Sequence, residues 1–341
     1  MFERLMIERS GKSEIAALDV RGALKEAMAR LRAGKVPSHT FAAELLLMHA
    51  LGRDRTWIYS HPEAALEPIA IERYFSYIER RAAGEPVQYI TGKQEFWGLE
   101  FEVTPAVLIP RPETEHIVEV ALERLGARGI KIRLDTGAPS EPLRVADVGT
   151  GSGCLAVALA HELPHAEIFA TDISAEALAV ARRNAARHGV SGRVHFAQGD
   201  LLSAFLTYQP EPLDLIVSNP PYIGIRETEA LPREVREHEP GVALFGGATG
   251  IEIYGRLIGE AGSVLRTGGI LALELGHTSA DHVLGILRAG PCWGNISVTN
   301  DLGGIPRVIA AEYIAADAGD SHNFRRQHDR GGCHDRIPNG K

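Results

Sequence analysis

From Leu143 onward this 341-residue chain alternates short apolar segments with helical stretches, and that alternation limits its fold more than any other feature. The segments at 143–149, 167–173, 194–200, 213–219 and 268–276 are rich in Val, Ile, Leu, Phe and Ala and have the length of strands. Strands joined through helices pair in parallel, and their crossovers are right-handed. Two further segments, 295–302 and 307–314, are joined only by Asp301-Leu302-Gly303-Gly304-Ile305-Pro306. A connection that short makes a hairpin, which turns the last strand antiparallel to its neighbour. The expectation is a doubly wound α/β fold with a Rossmann-like seven-stranded sheet ending in an antiparallel C-terminal hairpin.

Upstream the period is helical. Val20, Leu24, Ala27, Met28 and Leu31 recur at helix spacing, with Gly34 placed as a C-cap. A second helix follows Pro37-Ser38-His39-Thr40 and runs through Phe41, Leu45, Leu46 and Met48 to Gly52. A third carries Ile71, Phe75 and Ile78 and ends in Arg80-Arg81, cations that suit the C-terminal end of the helix dipole. These stripes describe the core of a small bundle. From Val87 to Pro110 the pattern becomes that of strands, with Leu99, Phe101 and Val103 alternating with Glu100 and Glu102. Turn residues at Gly92-Lys93 and Trp97-Gly98 predict a β-hairpin linking two domains. Ile109-Pro110-Arg111-Pro112-Glu113-Thr114-Glu115 then opens a helix containing Ile117, Val118, Val120 and Ala121. The boundaries read as a helical domain at 1–86, a hairpin linker at 87–112, a sheet domain at 113–314 and a disordered tail at 315–341.

Composition removes several classes. A net charge of −8 argues against a duplex-binding protein, because neutralising phosphates takes clustered Lys and Arg. Cys154, Cys292 and Cys333 are too few and too scattered for a disulfide framework or a zinc site, which fits a reducing, cytoplasmic setting. His328, Cys333 and His334 in the tail read as incidental composition rather than a metal site. The N-terminus carries charges of both signs without an apolar core and cleavage site, so no secretory signal is expected. Every apolar run is too short to span a bilayer. No internal repeat is evident.

Three motifs carry chemistry. Val145-Ala146-Asp147-Val148 runs into the turn Gly149-Thr150-Gly151-Ser152-Gly153, and a helix follows. Glycines there let the backbone approach a ligand and leave N–H groups free to face it, as a dinucleotide fingerprint would. Asp172 ends the next strand about 20 residues further on, where an acid accepts both ribose hydroxyls. Nicotinamide and S-adenosylmethionine sites share that feature; the plainer reading of Asp172 is a helix N-cap, since Ser174 and Glu176 follow. Asp200-Leu201, after the third strand, falls beside an adenine in either case. The fourth strand ends abruptly at Asn219-Pro220-Pro221-Tyr222. Two prolines fix φ and cannot donate ladder hydrogen bonds, so the strand stops and the turn is stiff. The Asn219 side-chain carbonyl and the Pro220 backbone carbonyl are acceptors, and Tyr222 offers a flat face. That set suits gripping a planar –NH2 group, for which a dehydrogenase has no use.

Five parallel strands closed by an antiparallel hairpin are the arrangement of class I S-adenosylmethionine-dependent methyltransferases. With these pieces in place the chain resembles the HemK/PrmC family, the release-factor glutamine methyltransferases, from about residue 20 to 314. The resemblance rests on Arg80-Arg81 with Gly84-Glu85-Pro86-Val87-Gln88-Tyr89-Ile90, on Glu95-Phe96-Trp97-Gly98, and on Leu108 to Glu115. It continues through Asp147 to Gly153, Ser218 to Tyr222, Glu239-Pro240 with Ala243-Leu244, Gly268-Gly269, and Leu273-Glu274-Leu275-Gly276. It implies methyl transfer from S-adenosylmethionine to the side-chain amide nitrogen of the glutamine in the Gly-Gly-Gln motif of class I peptide release factors. Gly149, Thr150, Gly151, Ser152 and Gly153 would hold the methionine part of the cofactor, Asp172 its ribose, and Leu201 its adenine. Asn219, Pro220, Pro221 and Tyr222 would hold the glutamine, with Asn219 also beside the cofactor. The N-terminal helices would help dock the release factor, and no metal, membrane or nucleic acid takes part. The chain is expected to act as a monomer. Arg111, set between two prolines, reads as an interdomain ion-pair residue in preference to a substrate contact. The rivals are a ribosomal-protein glutamine methyltransferase, a nucleic-acid adenine methyltransferase, which would want a basic target-recognition region, and a non-catalytic binding module that keeps the fold.

Overall fold

The computed structural model describes residues 18–127, 142–208 and 211–314. The tail at 315–341, with His328, Cys333 and His334, lies outside the described residues, as does most of the Gly/Pro/Ser stretch at 135–142. The chain divides into two compact units, one drawn from Met1–Gln94, Glu102–Pro105 and Glu229–Gly241, the other from Glu95–Phe101, Ala106–Thr228 and Val242–Lys341.

The first unit is helical. Asp19 caps Val20–Ala33, its carboxylate accepting from Gly22 N at 2.7 Å, and Val20, Ala23, Ala27 and Leu31 form the buried stripe. His39–Leu51 ends at Gly52 with φ 62°, and Pro68–Ala82 buries Ile71, Tyr74, Ile78 and Arg81. Phe41, expected on the inner face, is 54% exposed. Ala42, Ala43, Leu46, Leu47 and Ala50 take that face instead, and their spacing turns the preceding residue outward. Arg55–Ser60 is an additional short helix that the sequence pattern did not suggest. Val87–Thr91 is also helical, which corrects the reading of 87–112 as a hairpin linker from its first residue. Its β-branched and aromatic content favours a strand, but Pro86 starts a helical turn, Tyr89 and Ile90 pack inward from it, and Gly92 at φ 72° ends it. Arg81 does more than face a helix dipole. It is buried, donates to Glu85 O at 3.0 Å, and pairs with Glu234 at 2.6 Å, within the segment 229–241, which no sequence pattern assigns to this unit.

The predicted hairpin forms from β1 (Lys93–Phe96) and β2 (Leu99–Glu102). Its two-residue loop, Trp97 at φ 55° and Gly98 at φ 68°, has the twist that a tight hairpin requires.

The second unit is built on a seven-stranded sheet. Its parallel strands are β3 (Leu143–Val148), β4 (Ala166–Asp172), β5 (Val194–Gln198) and β6 (Leu213–Ser218). After β6 come two very short strands outside that sheet, β7 (Ile223–Gly224) and β8 (Phe245–Gly247), which pair with each other. The fifth parallel strand is β9 (Leu265–Glu274), and β10 (Trp293–Asn300) and β11 (Pro306–Tyr313) complete the sheet. The order is β10-β11-β9-β6-β3-β4-β5, with β11 antiparallel to both neighbours, as the short 301–306 connection predicts. Alternate residues of the central strands supply two different cores. Val145, Leu215, Val217 and Ile270 belong to one, and Ala146, Ile216, Leu271 and Leu273 to the other. A sheet covered on both faces explains why β6 is apolar almost throughout.

Two features position the site. The order of strands reverses its direction of growth at β3, where β4 and β5 lie to one side and β6 and β9 to the other, and such a reversal opens a crevice at the strands' C-terminal ends. Val148 pairs with Thr171, Asp147 with Val217, and Ser218 with Leu273, so Gly149, Asp172, Asn219 and Glu274 reach the same edge. No helix among the described residues is long and apolar enough to cross a membrane.

Candidate active site

A cavity of about 310 Å³ opens at that edge, lined by Gly149, Gly151, Asp172, Leu201, Asn219 and Pro221 among others. Thr150 and Ser152 also line it. Elements far apart in sequence thus bring most of the predicted residues to one space. Gly153, Pro220 and Tyr222 stand behind it: Pro220 is buried, and a Cβ on Gly153 would sit 3.1 Å from Ala181 Cβ, so this glycine permits close helix packing.

On one side of the cavity is the glycine turn. Gly149 and Gly151 have φ of 74° and 54°, and a Cβ on either would meet no atom within 4 Å. The turn therefore faces open space, the room that a ligand backed onto exposed N–H groups needs. Asp147, at the end of β3, holds the turn from beneath. Its Oδ2 accepts from Thr150 Oγ1 at 2.6 Å and from Ala156 N at 3.0 Å, while Oδ1 has no partner among the described residues. Complete burial pushes this carboxyl up to about 7. The sequence motif contains Asp147 but assigns it no role, although its place just before the glycines is the available signal.

Asp172 accepts from Gly151 N and from Ser174 N, both at 2.9 Å, and burial raises its pKa above the usual carboxylate value. The cap of the following helix is Ser174, which accepts from Ala177 N at 3.1 Å, so Asp172 is not the N-cap. Its carboxylate ties the glycine turn to the end of β4. Leu201 has φ 50°, a left-handed conformation that costs a non-glycine residue about 1–2 kcal/mol. Thr171 Oγ1 donates to its carbonyl at 3.1 Å, and Glu260 Oε2 accepts from the next amide, Leu202 N, at 3.1 Å. Asp200 is paired with Arg256 at 2.7 Å.

The other side is the Asn219–Tyr222 turn. Asn219 Nδ2 donates to Thr114 Oγ1 at 3.1 Å, and Thr114 Oγ1 donates to Glu274 Oε2 at 2.6 Å. Tyr222 OH lies 3.4 Å from Glu274 Oε1, and Tyr254 OH donates to the Glu274 backbone carbonyl at 2.7 Å. Glu274 is fully buried, which pushes its carboxyl up to about 7. Tyr222 is half-buried, and its phenol is raised by burial and by Glu274. Glycines make room for the turn: a Cβ on Gly246 would stand 2.3 Å from Pro221 O, and one on Gly250 would stand 2.2 Å from Tyr222 O. Motif reading located the turn but missed Thr114, Glu274 and these glycines as its supports. Glu113 faces Arg307 at 3.9 Å within the same unit.

Among the described residues no cluster of His, Cys, Asp and Glu could hold a metal ion. What the arrangement offers is an open glycine turn with an acid beside it, facing a stiff amide-bearing turn across a small cavity.

Comparison with known proteins identifies the family. Residues 22–92 match the PrmC N-terminal domain family, and residues 133–235 match the methyltransferase small domain family. A release factor glutamine methyltransferase of Koribacter versatilis (strain Ellin345) is 44% identical over 86% of this chain and 98% of its own. Another, of Moorella thermoacetica, is likewise 44% identical over 86% of this chain and 98% of its own. One from Geobacter sulfurreducens is 45% identical over 78% and 87%. Among solved structures, the hMettl16 catalytic domain, crystallised with a hairpin of the MAT2A 3′UTR, superposes with a TM-score of 0.50 at 19% identity. The superposition covers 71% of this chain and 83% of that one, and the likeness is one of fold.

Proposed function

Because the chain belongs to the release factor glutamine methyltransferase family, we infer that it transfers a methyl group from S-adenosylmethionine to a glutamine side-chain amide of a peptide release factor. In our reading the acceptor is the glutamine of the Gly-Gly-Gln motif of class I release factors, and the reaction serves translation termination in the cytoplasm. The observation that supports it most is that one cavity is shared by two unlike walls: the open glycine turn with Asp172, and the Asn219–Pro221 turn.

The residues fit the cofactor. Gly149 and Gly151 leave the backbone of the turn open, Asp172 can accept from ribose hydroxyls, and Leu201 offers apolar surface to an adenine ring. Bound there, S-adenosylmethionine supplies a methyl made electrophilic by its sulfonium sulfur. An amide nitrogen is a weak nucleophile because its lone pair is delocalised into the carbonyl. With its Nδ2 committed to Thr114, Asn219 has Oδ1 left to accept one substrate N–H, and the Pro220 carbonyl is placed by sequence to accept the other. Two accepted hydrogen bonds raise electron density on the nitrogen and fix its direction. Orientation is the larger contribution, worth about 7–11 kcal/mol in the best intramolecular cases. One amide proton leaves to solvent after transfer, so no strong general base is required. Tyr222 and its apolar surroundings would exclude water.

Mass spectrometry of a recombinant release factor incubated with this chain and S-adenosylmethionine tests the reading. One added methyl on the Gly-Gly-Gln glutamine is expected. An unmodified release factor, with cofactor binding demonstrated in the same sample, overturns the substrate assignment and directs the search to ribosomal proteins and then nucleic acid.

A further inference from the structure

The hydrogen-bond chain behind Asn219 has a direction, and the direction is set by chemistry. A carboxylate only accepts, so Thr114 must spend its single hydroxyl proton on Glu274 Oε2, 2.6 Å away. Thr114 Oγ1 can then meet Asn219 only as an acceptor, at 3.1 Å, and the group facing it must be the Asn219 NH2. The carbonyl oxygen is on the opposite branch of the same planar amide. We propose that Thr114 and Glu274 are positioning residues, forming a relay that fixes the rotamer of the Asn219 amide so that Oδ1, and not NH2, is presented to the substrate. The catalytic consequence rests on the function proposed above, whereas the relay itself does not.

Two features of the surroundings strengthen the case. All three members are anchored: Thr114 and Glu274 are buried, and Asn219 follows the last residue of β6 and precedes two prolines. Tyr222, the last residue of the turn, approaches the other carboxylate oxygen, so Glu274 reaches both ends of Asn219–Tyr222. A purely packing role would be served by an apolar residue at 274, which would avoid the cost of burying a carboxyl.

The relay also has a reversed state. A protonated Glu274 can donate to Thr114, whose own proton is then free for Asn219 Oδ1, and the amide turns its NH2 outward. That state repels a substrate NH2 instead of accepting from it. Glu274 is faced by Glu113 and Arg307, by the phenols of Tyr222 and Tyr254, and by the Cys154 thiol, and its raised pKa, about 7, puts the exchange in an accessible pH range. Neither phenol nor thiol competes there, because burial raises all three.

The test begins on the free chain. In 1H–15N spectra, the Asn219 NH2 pair, assigned by its disappearance in Asn219→Asp, should move between pH 6 and pH 8.5 in the unsubstituted protein and stay still in Glu274→Gln. A pair that is equally still, or equally mobile, in both overturns the relay whatever the substrate proves to be. The second arm measures methylation. Thr114→Val should lower kcat by about tenfold or more while cofactor affinity holds, and Thr114→Ser should restore most of it. The acid-side fall of kcat should be absent from Glu274→Gln. Equal kcat in Thr114→Val and the unsubstituted enzyme, or an unchanged acid limb in Glu274→Gln, overturns the positioning role. A melting temperature for each variant separates misfolding from misorientation, and Thr114→Ser and Glu274→Gln keep the test decisive should Thr114→Val unfold. If the unsubstituted chain binds cofactor but leaves the release factor unmodified, the proposed function fails alone and the spectroscopic arm still decides the relay.

Discussion

The two walls of the cavity are built in opposite ways. The glycine turn is supported from nearby in sequence: Thr150 and Ala156 lie three and nine residues from Asp147, and Gly151 lies 21 from Asp172. The Asn219–Tyr222 turn is supported from far away. Thr114 lies 105 residues from Asn219 and 160 from Glu274, and Glu274 lies 52 from Tyr222. A wall held within one continuous stretch, from β3 through its helix to the end of β4, keeps its shape wherever that stretch folds. A wall held by three distant segments exists only when the whole sheet is assembled, so the group that grips the substrate is also the more sensitive to remote change.

The sharpest way to break this comparison is to remove the gripping group itself. Asn219→Ala should abolish methylation, because the acceptor for the substrate amide is gone, while the melting temperature stays near that of the unsubstituted chain. Asn219 also lines the cavity beside the glycine turn, so cofactor affinity should change only modestly if the walls work separately. Turnover measured alongside calorimetric cofactor binding checks both. Near-normal turnover would remove Asn219 from the mechanism, and lost cofactor binding would show that the walls are one unit.

The same difference explains what the sequence disclosed. The strands, the closing hairpin and the glycine turn were legible because each is specified by residues next to one another: β6 by its largely apolar run, the turn by glycines at fixed offsets. Asn219–Tyr222 was legible as a stiff amide-bearing turn for the same reason. Its supports were not. Thr114 stands in a Pro-Arg-Pro-Glu-Thr-Glu stretch whose charged residues drew attention, and Glu274 ends a strand in which every other late residue is apolar. Nothing local marks either as part of a hydrogen-bond chain: Glu274 is brought beside Asn219 by the pairing of β6 with β9, and Thr114 reaches both from the separate turn Pro112–Thr114. Val87–Thr91 departs from its sequence pattern for the converse reason, a local propensity overridden by packing.

Paired glycine substitutions sharpen the comparison at intermediate magnitude. Gly149→Ala meets open space, so its cost is confined to a left-handed backbone, about 1–2 kcal/mol, together with weaker cofactor binding. Gly250→Ala has the same kind of backbone cost, at φ 86°, and also drives a methyl to within 2.2 Å of the Tyr222 carbonyl. It should lower the melting temperature by more than Gly149→Ala does and reduce methylation with cofactor affinity largely kept. Equal losses in both measurements for the two variants would argue that the substrate turn yields as easily as the cofactor turn.

The smallest expected effect is a pH dependence that the two walls share. Asp147 beneath one and Glu274 behind the other are both fully buried, and burial is the leading cause that pushes each up to about 7, from ordinary values of 3.8 and 4.5. A raised native pKa means that the folded chain holds these protons where the unfolded chain has released them. Stability from these groups is therefore greatest at acid pH, declines as pH rises past the unfolded values, and is lost once pH passes about 7. Asp147→Asn and Glu274→Gln remove the titrating group but keep an acceptor. The melting temperature of each variant relative to the unsubstituted chain should rise between pH 5.5 and pH 8.5, by a few degrees, since about 1 kcal/mol moves a domain of this size by roughly 2–4 °C. Parallel rises in the two variants would mean that the cost follows burial alone. A rise confined to Glu274→Gln would mean that the local bonds around Asp147, from Thr150 Oγ1 and Ala156 N, already offset its burial, and that only the long-range wall carries an uncompensated charge.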